Sequence, residues 1–126
     1  MKDIALVFFG GGIGSIARYG VGRFYQHWKP AFPYATLTAN FLSCLIFGIV
    51  VMLALQRLNL SNAIKLLLIT GFCGGFSTYS SFTFETIEML KAGQTLMAVI
   101  NIIINFALSV TGLFIGFWLG RLIFSV

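Results

Sequence analysis

The chain has 126 residues, of which 59% are hydrophobic and only 9% charged, with a formal net charge of +5. That composition is too apolar for an ordinary soluble domain. The positive charge would suggest nucleic acid in a soluble protein. Here the cations mostly flank apolar stretches, so no nucleic-acid partner is expected.

Four apolar stretches stand out, at residues 4 to about 22, 34–55, 64–90 and 95 to about 120. Each reaches the ~20 residues that a helix needs to cross a bilayer. The connections are short, which leaves one domain over residues 1–126 and a multi-pass membrane protein. Glycines and Arg18 interrupt the first stretch, so it does not read as a signal peptide. Lys2, Arg57, Lys65 and Arg121 fall on one side of the four-span arrangement. Arg23, Lys29 and Lys91 fall on the other, with Arg18 nearby. Four cations against four give no clear orientation by the positive-inside rule. Either one charge weakly dominates, or the chain inserts both ways and pairs as an antiparallel dimer. A four-span chain is also small to enclose a pathway alone, which favours an oligomer.

In the first stretch, Gly12-Ile-Gly14-Ser-Ile-Ala17 imitates a dinucleotide fingerprint. The strand, the βαβ unit and the downstream acid that the fingerprint needs are missing. The Gly10 and Gly14 spacing suits close helix contact instead. Arg18 reads either as an anchor snorkelling to the interface or as an electropositive mouth for an anion. In the second stretch, Thr36, Asn40, Ser43 and Cys44 share one helix face, with Thr38 off it. The Asn40 amide lies deep enough to need a partner from protein or water.

The third stretch is the unusual one. Residues 71–85 read GFCGGFSTYSSFTFE: three glycines, five Ser or Thr hydroxyls, Tyr79 and Glu85. Irregular backbone at membrane depth survives only inside protein or beside a polar cavity. A helix broken there is expected to hold or move a polar solute. Tyr79 and Phe82 share a face if helix resumes after the glycines. Aromatic rings are positive at the edge, so such a pair either packs an interface or offers an anion weak stabilisation. Glu88 can meet Lys91 at a helix end, and Glu85 lies deeper, within possible reach of Arg18 or Arg23.

In the fourth stretch, Asn101, Asn105 and Ser109 fall at i, i+4 and i+8, followed by Gly112, Gly116 and Gly120. The first three form a polar track facing protein or water, and the glycines form a packing seam. Cys44 and Cys73 read as small packing residues rather than a disulfide. His27 stands alone, so no metal-ligand cluster is expected.

Four pieces together resemble the Fluc (CrcB) family of fluoride channels. They are residues 11–18 (GGIGSIAR), 36–40 (TLTAN), 71–82 with Glu85, and the polar fourth stretch ending in glycines. The resemblance implies an all-α membrane protein of four transmembrane helices, the third broken mid-membrane, in an antiparallel dual-topology homodimer. It implies no enzyme but a passive channel, in the bacterial plasma (inner) membrane, that drains fluoride from the cytoplasm. The implied pathway comprises Asn40, Tyr79, Ser80, Phe82, Asn101, Asn105 and Ser109, with Arg18 at the mouth. A structural sodium ion would sit on the backbone carbonyls of Gly74 and Ser77 from both subunits. Tyr79 departs from the family, which usually has Phe there. The partners implied are fluoride, membrane lipid and a second copy. A small dual-topology multidrug-type antiporter is the alternative, although it would need a carboxylate in the first span, where this chain has none.

Overall fold

The computed structural model describes residues 1–28, 30–56 and 60–124. Two of the cations weighed above, Lys29 and Arg57, lie outside the described residues. The described chain is helical throughout, in the order α1 (Lys2–Gln26), α2 (Tyr34–Gln56), α3 (Asn62–Lys65), a π-helical stretch (Leu66–Cys73), α4 (Gly74–Phe76), α5 (Tyr79–Lys91) and α6 (Thr95–Phe124). Three helices are long and apolar enough to cross a membrane: Lys2–Gln26, Tyr34–Leu55 and Thr95–Ile123. The stretch expected as a further span is instead a composite of α3, the π-helical stretch, α4 and α5.

The elements pack as two close pairs. α2 lies along α6, and α1 lies along the π-helical stretch and α4. Glycines set both contacts. A Cβ at Gly71 would stand 2.9 Å from the Gly10 Cα, and one at Gly14 would stand 2.9 Å from the Phe76 backbone nitrogen. In the other pair, a Cβ at Gly116 would stand 3.0 Å from the Gly48 Cα. Between apolar helices in lipid, association rests on van der Waals contact and weak Cα–H···O bonds, and absent side chains are what permit the approach. The Gly10 and Gly14 pair and the fourth-stretch glycine run therefore serve as the close contacts that the sequence suggests.

The glycines of the third segment correct one expectation. Helix does not stop at Gly71, Gly74 or Gly75 but runs on to Phe76. Gly71 and Gly75 face α1, where added methyls would strike Gly10 and Gly11. The backbone leaves the helix two residues after Gly75, at Ser77 (φ −73°, ψ 157°) and Thr78 (φ −150°, ψ 110°). Thr78 then restarts the chain as the N-cap of α5, its Oγ1 accepting from the Ser81 N–H at 3.1 Å. Beyond the end of α5, Gly93 caps the helix with a φ of +73° that suits glycine, and the Gln94 N–H returns to the Met89 carbonyl at 2.9 Å.

An aromatic group closes the α1–α2 end. Phe24, Tyr25, Trp28, Phe32 and Tyr34 contact one another with ring centroids 5.2–6.3 Å apart. Amphipathic rings are favoured at the level of lipid headgroups. Thr38, which lies off the polar stripe of α2, explains itself here: its hydroxyl meets the Tyr25 hydroxyl at 3.0 Å.

Candidate functional site: a polar seam around the helix break

The break at Ser77 and Thr78 frees backbone groups that neighbouring side chains take up. The Thr78 N–H donates to Asn40 Oδ1 at 2.8 Å. In a continuous helix that N–H would meet the Gly74 carbonyl four residues earlier. Asn40 Nδ2 donates to Asn105 Oδ1 at 3.1 Å and approaches the Thr78 carbonyl at 3.5 Å. A single buried amide thus ties α2 to the break and to α6. On the other side of the break, the Cys73 carbonyl accepts from Ser77 N–H at 3.0 Å, Ser77 Oγ at 2.9 Å and Ser43 Oγ at 2.9 Å. Ser77 and Ser43 together hold the Cys73 carbonyl in place one turn before the chain leaves the helix.

A second set of bonds ties α5 to α6. Asn101 Nδ2 donates to Thr86 Oγ1 at 2.9 Å, and the Thr86 hydroxyl donates to the Phe82 carbonyl at 2.7 Å. Asn101 is 0% exposed. Three buried polar atoms in this region have no protein partner: Asn101 Oδ1, Asn105 Nδ2 and Glu85 Oε2. Buried polar groups are nearly always satisfied, so each of these atoms calls for a partner beyond the single chain: water, an ion or a second copy.

A cavity of about 340 Å³ opens beside the seam, lined among others by Arg18, Thr36, Thr78, Ser81 and Glu85. Thr36 Oγ1 donates to Glu85 Oε1 at 2.7 Å. Arg18 and Glu85 therefore share a cavity wall, but the bond that positions the carboxylate comes from Thr36. Arg23 bonds Gln26 at 3.2 Å rather than Glu85. Lys91 and Glu88 pair at 3.0 Å on the surface of α5, as their spacing suggests.

The expected pathway residues divide into two groups. Asn40, Asn101 and Asn105 are buried together in the seam. Ser109, half-buried, adjoins the Cys44 thiol one face along. Tyr79 and Phe82 sit beside each other with centroids 5.7 Å apart and planes inclined at 53°. Tyr79, however, is 81% exposed in the single chain. Ser80 is exposed and meets Thr78 Oγ1 at 3.2 Å. Arg18 lines the cavity, while Gly74, exposed, and Ser77, half-buried, flank the break. The described residues contain no cluster of three or more His, Cys, Asp or Glu suited to a metal, and both cysteines are free thiols.

Thr78 and Thr86 were not singled out by the sequence, yet both are hubs. A signal for Thr78 existed, since a threonine directly before a helical run is an N-cap pattern, its hydroxyl placed to accept from the N–H three residues on. Thr86 carries no such mark, because only the fold sets it against Asn101.

Residues 5–117 match the family described as CrcB-like protein, Camphor Resistance (CrcB). The chain is 37% identical over 121 residues to the Fluoride-specific ion channel FluC of Pyrococcus furiosus, covering 96% of this chain and 98% of that one. It is 36% identical over 122 residues to the protein of the same name from Phocaeicola vulgatus, covering 96% and 100%. With that of Agrobacterium fabrum the identity is 38% over 125 residues, covering 98% and 100%.

Proposed function

The chain belongs to the CrcB family, and we propose on that premise that it is a fluoride-specific channel, not an enzyme. The observation that carries the reading is the buried polar seam beside the break, where Asn101 Oδ1 and Asn105 Nδ2 have no partner within the chain. Fluoride holds its hydration shell tightly. A pathway must replace part of that shell with donors that are numerous but individually weak, so that the ion can leave. Amides and hydroxyls from Ser80, Asn105 and Ser109 supply such donors, with Asn40 holding Asn105 in place, and ring edges at Tyr79 and Phe82 supply partial positive charge. Arg18, on the wall of the 340 Å³ cavity, raises the local anion concentration at one mouth. The composite third segment serves as the fourth crossing.

The working unit is an antiparallel dual-topology homodimer. Two features support it: the balance of flanking cations, and the exposed face of α5, which carries Tyr79, Ser80 and Thr83. Hydroxyl-bearing residues facing lipid are unfavourable, and a second copy covers them. The carbonyls of Gly74 and Ser77 suit a structural sodium ion, because the Thr78 N–H that would occupy the Gly74 carbonyl is committed to Asn40. A cation satisfies carbonyls released by a helix break. In a bacterium the protein resides in the plasma membrane and passively lets out fluoride that entered as neutral HF. The antiporter reading is disfavoured, since the only acidic residue of α1 is Asp3 in its first turn.

The test is flux. Protein reconstituted in liposomes should release trapped fluoride while retaining chloride. Folded, dimeric protein without fluoride release refutes the reading. Thorough sodium removal should depress flux, and unchanged flux after demonstrated exchange refutes the sodium site.

A further inference from the structure

The channel reading leaves the two thiols of the chain without a role. Cys44 stands on α2 and Cys73 ends the π-helical stretch, and both are free. The fold brings both to one cavity of about 320 Å³, whose wall also includes Ser43, Gly74 and Ser77. Ser43, the residue before Cys44, donates to the Cys73 carbonyl at 2.9 Å, which ties the two cysteine backbones together. The two sulfurs are within electrostatic reach of each other. Other parts of the wall are apolar, with Phe47 and Leu113 among its side chains. Gly74 is exposed, and a Cβ there would meet nothing within 4 Å, so the cavity is reachable from outside the chain.

The available donor atoms decide the ligand. The Cys73 carbonyl already accepts from the Ser77 N–H, Ser77 Oγ and Ser43 Oγ, so sulfur is what Cys73 has left to offer. Thiolate ligands select soft cations, whereas hard cations prefer oxygen. Zinc in a structural site asks for four protein ligands, and the described residues hold no group of three or more His, Cys, Asp or Glu. A thiol pair therefore suits a soft cation content with two ligands. Charge points the same way: a divalent ion on two thiolates is neutral, and net charge is what a membrane interior penalises. We propose that Cys44 and Cys73 form a two-coordinate site for a soft divalent cation of the mercury(II) type. Binding breaks two S–H bonds, forms two metal–sulfur bonds and releases two protons. Metal–sulfur bonds of about 2.3 Å let the ion bridge sulfurs about 4–5 Å apart, a gap that a disulfide of about 2.05 Å cannot close. The site does not depend on the channel reading. It also differs in chemistry from the proposed sodium site, which uses the oxygens of Gly74 and Ser77.

Mercury(II) chloride titrated into the purified full-length protein, free of added thiol, tests the site. The thiolate–mercury absorbance in the ultraviolet should saturate at one ion per chain, with both thiols consumed together. Two ions per chain, each capping one thiol, overturn the shared site. So does half an ion per chain, which would place the bridge between copies, and so does no uptake at all. Excess sodium and equimolar zinc should leave the mercury in place, and displacement by either overturns the soft two-ligand assignment. Cys44→Ala leaves the ion one protein ligand. Retention against a competing small thiol should then fall at least about 100-fold, as expected when one of two linked contacts is lost. Undiminished retention in Cys44→Ala overturns the proposal, and the wild-type count decides it even if the variant folds poorly.

Discussion

The two halves of the broken third segment meet the rest of the protein in opposite ways. The first half, through the π-helical stretch and α4, lies against α1 with glycine on glycine and backbone against backbone. The second half, α5, meets α6 through Thr86 and Asn101 and meets α2 through Thr36 and Glu85. One interface depends on shape alone, the other on matched donors and acceptors. Ser77 and Thr78 divide them. The difference teaches that a membrane helix can be anchored tightly at one end while its other end is assigned to polar work. The packing half carries no unpartnered buried side-chain atoms, and all three of those in the described residues lie on α5 and α6.

The comparison can be broken most severely from the packing side. Gly14→Leu would drive a side chain into the backbone at Phe72 and Phe76. Overpacking of this kind costs about 1–3 kcal/mol or more, and backbone cannot step aside as a side chain can. The expected outcome is loss of a monodisperse peak in detergent size-exclusion chromatography. A well-folded Gly14→Leu protein with native thermal stability would show that the seam is looser than its geometry.

Asn40→Leu strikes the division itself. It strands the buried Thr78 N–H, at about 1–3 kcal/mol for the unsatisfied group. Fluoride flux should fall about 100-fold with the protein still folded, because the glycine seams are untouched. Thr86→Val should have a smaller effect. It leaves Asn101 Nδ2 without its acceptor and should lower thermal stability by about 1–2 kcal/mol, with a lesser loss of flux. If Thr86→Val matched Asn40→Leu in flux, the break would not be the dominant polar feature. The smallest effect belongs to Gly20→Ala. A methyl there meets nothing within 4 Å, and glycine to alanine within a helix should stabilise by about 0.4–1 kcal/mol. A destabilised Gly20→Ala would reveal a contact beyond the single chain.

Much of this was legible in the residues. Apolar stretches of spanning length marked the membrane helices, and the repeats of Gly112, Gly116 and Gly120 marked a seam. The i, i+4 spacing of Asn101 and Asn105 marked one polar face. The break was legible to within a few residues, at the end of the glycine run, and not more closely because glycine signals both flexibility and close approach. In this third segment Gly71 and Gly75 serve approach, and the break falls where two hydroxyl residues can cap the ends. Tyr79, expected on the polar path, is exposed on α5 in the single chain, so its neighbours there are set by what covers that face.

What the sequence by itself determined is the set of local demands. Spanning lengths, small faces and buried amides follow from side-chain size and the absence of water in hydrocarbon. Only the tertiary structure decided which demands answer one another. Thr78 N–H is satisfied by Asn40, 38 residues away, and Asn40 by Asn105, a further 65. Hydrogen bonds need partners within about 3 Å in the correct polarity. No spacing along one chain specifies that across three separate helices. It is the packing of α2 on α6, and of α1 on the third segment, that brings those groups within reach.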